Sequence, residues 1–232
     1  MAVIEWDAAG KRFYENGTDH GVLYPMETSG GYGTGVPWNG LTGVTESPEG
    51  AEPTDLYADN SKYATLRSTE TFGCTIQAYT YPDEFMECDG SAQIAKGVYA
   101  GQQERKGFGF CYRTNIGNDT ATSSDDGYKL HLIYGCTASP SERAYETIND
   151  SPDAITFSWE VKTTPVNVAG HKPTASLVID SRYADAEKLK TLEKKLYGDT
   201  DSEPGLPTPA EVITMMGAVS AKASKSSAVS NI

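Results

Sequence analysis

Residues 69–90 read TETFGCTIQAYTYPDEFMECDG, and the spacing of apolar side chains changes period within them. In Cys74-Thr75-Ile76-Gln77-Ala78-Tyr79, the apolar Cys74, Ile76 and Ala78 alternate with polar neighbours, the pattern of a strand with one buried face. Helix signals follow at once. Pro82 has a φ suited to a first helical turn, Asp83 and Glu84 favour the positive end of a helix, and Thr80 with Asp83 has capping-box spacing. Tyr81, Phe85 and Cys88 recur at i, i+4 and i+7, which predicts a short helix lying on the sheet of its own strand and ending near Gly90.

Outward from this run the alternation returns repeatedly. Phe108, Phe110 and Tyr112 share one face of a strand, as do Leu130, Leu132 and Tyr134, with Lys129 and His131 on the opposite face, His131 as a surface or interface histidine. In 155–162, Ile155, Phe157, Trp159 and Val161 face one way and Thr156, Ser158, Glu160 and Lys162 the other. A further strand is expected over 175–179 and another over 38–45. The N-terminal stretch 3–26 reads as short strands with a hairpin turn at 15–18, where Asn16-Gly17 supplies the turn residues. About eight to ten short strands with one helix among them predict a mostly β fold, an antiparallel two-sheet β-sandwich or small barrel.

Beyond residue 182 the period becomes helical, with Leu189, Leu192 and Leu196 on one face and Gly198 as the stop. An acidic, proline-rich linker follows, and Thr208-Pro209-Ala210-Glu211 opens a short apolar helix through Met216. The expected division is therefore a β-sandwich domain over 1–182, a C-terminal helical extension over 183–217 and a flexible tail over 218–232.

Several patterns suggest chemistry without supporting it. The glycines of 30–35 are followed by Val36-Pro37-Trp38 and not by a helix or a Lys-Ser/Thr pair, so they do not form a phosphate cradle. Cys74, Cys88, Cys111 and Cys136 lack metal-ligand spacing and read as reduced core thiols. Asp83, Glu84, Glu87 and Asp89 cluster around the expected helix without the spacing of a calcium loop. No nucleophile or carboxylate stands at local spacing from His131. No catalytic, cofactor-binding or metal-ligating residue is expected.

Residues 46–60, ESPEGAEPTDLYADN, carry Glu46, Glu49, Glu52, Asp55 and Asp59 and no basic residue. Two prolines and a glycine make a central strand improbable on physical grounds, so the segment should project as a long hairpin or loop. Leu56 and Tyr57 are its candidate buried anchors if it docks on another subunit.

Four stretches carry a resemblance: AYTYPDEFMECDGS at 78–91, GFGFCYRTNIGND at 107–119, 129–166 from KLHLIYG to EVKTTPV, and TASLVIDS at 174–181. Together they resemble the major tail (tail tube) proteins of long-tailed bacteriophages with non-contractile tails. The resemblance implies a structural, non-enzymatic subunit of the virion tail, assembled in the host bacterial cytoplasm into six-fold rings that stack into a genome-conducting tube. It further implies a long loop that reaches the next ring, which is the role expected of 46–60. Implied partners are the subunit itself, the tape measure, tail terminator and tail tip proteins, and double-stranded DNA in transit. The immunoglobulin-like domain that some relatives carry is not expected after residue 200.

Composition agrees with that class. The formal charge is −13, from 32 acidic and 19 basic residues, which argues against grip on phosphate backbones or anionic lipid, and no membrane contact is expected. An acidic channel would avoid adhesion to DNA, and Glu46, Glu70 and Glu160 are the candidates for its wall, each expected on a face opposite apolar neighbours. The competing reading is a carbohydrate-active or carbohydrate-binding β-sandwich using the chain's aromatic residues and paired carboxylates. Residues 1–6 show neither a basic segment nor a long apolar run, so no signal peptide or membrane span is expected.

Overall fold

The computed structural model describes residues 3–50, 52–120, 126–145, 147 and 154–217; the expected tail over 218–232 lies outside them. The alternating runs form β1 (Phe13–Pro25), β2 (Val36–Pro37), β3 (Leu41–Glu46), β4 (Pro53–Ala58), β5 (Ser61–Arg67) and β6 (Gly73–Ala78). After α1 (Phe85–Cys88) come β7 (Ala92–Ala95), β8 (Val98–Ala100), β9 (Phe108–Asn118), β10 (Gly127–Ala138), β11 (Phe157–Thr163) and β12 (Ser176–Asp180). Two helices, α2 (Ala186–Tyr197) and α3 (Pro209–Met216), close the described chain. The fold is mostly β, and every strand pairing is antiparallel.

Eight strands form one hydrogen-bonded sheet in the order β2-β1-β9-β10-β11-β6-β3, with β12 also on β10. The sheet forks because β10 is long and bulged. Its residues 129–133 pair with β12, whereas 136–138 pair with β11. Gly135 lies between the two at φ +60°, and a Cβ there would sit 2.3 Å from the Thr164 carbonyl oxygen. The bulge flips the side-chain order, so Tyr134 and Cys136 join different cores.

Beyond this fork β11, β6 and β3 lie across one face of β1, β9 and β10. Leu23, Phe108, Phe110, Tyr112 and Ile133 share a buried cluster with Ile76, Ala78, Trp159 and Val161, the arrangement of a β-sandwich. The open side is drawn in where the Trp38 N–H donates to the Gly21 carbonyl at 2.8 Å. At the centre the Trp38 ring meets Phe85 at 4.6 Å and both Phe110 and Trp159 at 5.5 Å, and its indole N–H donates to the Thr80 carbonyl at 3.0 Å. Helix α1 thus seals the core through Phe85 and Cys88, both fully buried. It is shorter than its spacing predicts. Residues 82–84 form turns, Thr80 does not cap, and one helical turn begins at Phe85.

The opposite face of β1, β9 and β10 carries Val22, Tyr24, Cys111, Leu130, Leu132 and Tyr134 against Leu189, Leu192 and Leu196 of α2 and Val212 of α3. Two buried tyrosines fasten this layer: Tyr24 donates to the Leu196 carbonyl at 2.8 Å and Tyr134 to the Pro207 carbonyl at 3.0 Å. Asp185 caps α2, and Thr208 with Glu211 completes the capping box that the sequence announces for α3. Residues 183–217 therefore share a core with the sheet. Each large apolar side chain so buried contributes roughly 1.5–3 kcal/mol.

Two local expectations differ from the structure. Residues 15–18 do not turn; β1 runs straight through them, and Gly17, at φ +65°, serves a bulge opposite Asn115 and Thr114. His131 is not a surface residue. It is buried: the Tyr112 ring of the neighbouring strand β9 stacks on it with centroids 4.5 Å apart, and the Glu46 carboxylate at the end of β3 reaches to 3.5 Å.

Candidate assembly surface

The four cysteines are buried and free, and burial pushes the thiols of Cys74, Cys88 and Cys111 up to about 12, which leaves them protonated and inert at neutral pH. Among the described residues no group of His, Cys, Asp and Glu has metal-binding geometry. Two of the carboxylates near α1 are in ion pairs: Asp89 is gripped by Arg105 at 3.2 Å and by Arg143, and Glu87 pairs with Lys106 at 3.1 Å. Residues 30–35 lead into strand β2 and not into a helix. A polar cleft of about 730 Å³ lies at the base of the 46–60 segment, lined by Ser47, Glu49, Thr71, Glu142, Glu160 and Lys162 among others. Among the described residues Phe72 is the one aromatic side chain in its wall, a poor platform for a sugar ring.

The segment itself is a projecting hairpin, longer than its acidic stretch. It leaves the body at Glu49 and Thr71, whose backbones exchange two hydrogen bonds of 2.8 Å, and runs out as β4 and back as β5. Asp59 and Asn60 turn it, both at positive φ, as a tight hairpin turn requires. All of β4 and nearly all of β5 are exposed.

Register divides the hairpin into two faces. Leu56 opposes Ala64 and Thr54 opposes Leu66, so these four project together. Asp55 opposes Thr65 on the other face, where its carboxylate accepts from Thr65 Oγ1 at 2.7 Å and pairs with Lys62 Nζ at 2.8 Å. Leu56 is 41% and Leu66 56% exposed, and among the described residues nothing covers them. Tyr57, 70% exposed, alternates with Leu56 and lies on the polar face, so the two expected anchors do not act together. Leu66 and Ala64 are the partners that reading 46–60 alone misses; the alternation Ala64-Thr65-Leu66 signals them. Glu49, Glu52, Asp55 and Asp59 are all exposed along the arm.

The root of the arm is anchored. The Glu46 carboxylate, at the end of β3, accepts from the Tyr112 hydroxyl at 2.8 Å and lies 3.5 Å from His131 Nδ1, which is too long for a good hydrogen bond. His131 foremost, together with the Tyr112 hydroxyl, holds the Glu46 carboxyl below its ordinary range. On the other side of the imidazole, Nε2 lies 3.0 Å from Thr114 Oγ1. Glu46 thus shares a face with the core-facing Val44, contrary to its expected place opposite apolar neighbours. Glu70 is exposed at the foot of β5, and Glu160 is exposed on the outer face of β11, 4.0 Å from Lys162. The three channel candidates are not brought together.

A second hairpin, β7–β8, projects with Gly97 at its turn, φ +77°. Ala92 opposes Ala100 and Ala95 opposes Val98, giving an apolar face of small side chains beside the exposed bulge residue Ile94. The pattern Ala95-Lys96-Gly97-Val98 is its sequence signal.

Among the described residues no helix is long and apolar enough to cross a membrane. Comparison with models of known protein families returns no match, and comparison with curated proteins returns none either.

Proposed function

We propose that this chain is the structural subunit of a bacteriophage tail tube, which self-assembles into stacked hexameric rings enclosing a channel for genome delivery. The observation that carries the reading is the uncovered arm: a hairpin with Leu56 and Leu66 on one face and nothing among the described residues packed against them. An isolated two-stranded hairpin is marginal in water, so an arm of this kind draws its stability from a neighbour. The antiparallel β-sandwich and the resemblance of 78–91, 107–119, 129–166 and 174–181 to tail tube proteins support the same reading.

In this role the chain acts by assembly and not by catalysis, in the virion tail after assembly in the bacterial cytoplasm. Its partners are further copies of itself, the tape measure, terminator and tip proteins at the tube's interior and ends, and DNA passing without specific contact. Of the two outer sheet faces, that of β1, β9 and β10 is covered by α2 and α3, whereas that of β3, β6 and β11 exposes Thr45, Gln77 and Glu160, with Thr75 and Ser158 half-buried among them. This polar face, uncovered among the described residues, suits a channel wall, and Glu160 is the best placed of the three acidic candidates. Electron microscopy of the purified protein over a range of concentrations tests the reading: hollow tubes or six-fold rings are expected, and featureless monomers at every concentration would sink it.

A further inference from the structure

From the two hairpins we infer that the apolar face of the β4–β5 arm, Leu56, Ala64 and Leu66, docks on the small-residue face of the β7–β8 hairpin, Ala92, Ala95 and Val98, of a second copy of this chain. The inference rests on the tail-tube reading for the arm's need of a partner and names the surface that receives it. Three features select this pairing. The faces are complementary in shape: one presents two leucines, and the other is a flat ribbon of alanines and a valine that lets a backbone approach closely. They are complementary in charge. Residues 47–71 carry Glu49, Glu52, Asp55, Asp59 and Glu70 against Lys62 and Arg67, whereas Lys96 is the single charged residue of 91–103.

The third feature is that both patches are open on the same chain, with Val98 49% and Ile94 69% exposed. A chain with two unlike, mutually complementary patches associates head to tail, and each added copy presents the same pair again. Such contacts close into rings or continue as filaments. They continue past two copies when the two patches face different neighbours.

Paired cysteines test this directly, since the native thiols are buried and protonated. Leu56→Cys and Val98→Cys are placed together in one full-length chain, and separately in two others, and each is oxidised under assembly conditions. The double variant should give a ladder of covalent dimers, trimers and higher species on a denaturing gel, while each single variant runs as monomer. Dimers from Leu56→Cys alone would mean that arm meets arm and would overturn the pairing.

Should the double variant fail to assemble, Leu66→Glu and Val98→Glu serve instead. Both residues are exposed, so each variant should keep the wild-type melting temperature of the monomer and lose assembly to the same extent. Assembly lost in Leu66→Glu but intact in Val98→Glu overturns the assigned receptor. Tubes or rings without a ladder defeat this inference and leave the tail-tube reading standing; a ladder without tubes or rings defeats the tail-tube reading alone.

Discussion

Strands β6 and β4 are both six residues long and both sit in antiparallel ladders, yet Cys74, Ile76 and Ala78 of β6 are buried to 2% exposure or less, and every residue of β4 is exposed. Strand β6 is bonded on both edges, by β11 and β3, whereas β4 pairs with β5 alone, and only β6 packs against a core. The comparison separates what holds the subunit together from what it offers outward. A ladder against a core contributes to folding; a ladder without one contributes only when another surface arrives.

Substitutions on the two sides of this comparison should behave oppositely. The largest stability effect belongs to Phe85→Ala, which removes a fully buried ring touching Trp38, Phe108 and Trp159 and should cost about 3–5 kcal/mol in chemical denaturation of monomeric protein. An unchanged midpoint would mean that α1 does not seal the core. Gly135→Ala should follow at about 1–3 kcal/mol, since a side chain there meets the Thr164 carbonyl at a positive φ. Wild-type stability in that variant would remove the bulge as the device that forks the sheet. On the arm, Leu66→Ala should change monomer stability by less than about 0.5 kcal/mol while raising the concentration needed for assembly. Equal assembly curves for mutant and wild type would take Leu66 out of the contact.

The smallest effect concerns acid. Arg113 grips Asp19 through two bonds of 2.7 and 2.9 Å and holds its carboxyl at about 2, against an ordinary value of 3.8. A carboxyl depressed in the folded state stabilises fully above its unfolded value and loses that contribution as pH falls through its folded one. Wild type should therefore lose more stability than Asp19→Asn between pH 5 and roughly pH 2. Parallel curves for the two proteins over that range would show the pair to be neutral. Because both side chains are partly exposed, the difference should be modest.

How far the sequence could be read depended on burial. Where a strand has a buried face, as in β6 or β11, alternation of apolar and polar residues announced it, and the capping box at Thr208 placed α3 to the residue. The Asn16-Gly17 pair misled, since the positive φ that permits a hairpin turn also permits a bulge, and only the pairing of β1 with β9 along nearly its whole length decides between them. Local spacing puts His131 at the surface or an interface, since it cannot show that Tyr112 of the neighbouring strand stacks on it. The arm was half legible: its acidity and prolines marked a projection, but the two-faced ladder depends on β5, and the partner of Leu56 lies eight residues further along the chain. The β7–β8 hairpin was missed, its alanines giving too weak a hydrophobic contrast to register as a strand.

The most direct test of the arm's role replaces residues 50–70 by a short Gly-Ser turn, a closure that the paired hydrogen bonds between Glu49 and Thr71 make geometrically simple. Wild-type and arm-less proteins are then compared at equal concentration by circular dichroism and electron microscopy. The β-rich spectrum and melting temperature should match, because the removed hairpin contributes nothing to either buried cluster, and only the wild type should form tubes. Normal tubes from the arm-less protein would contradict the account.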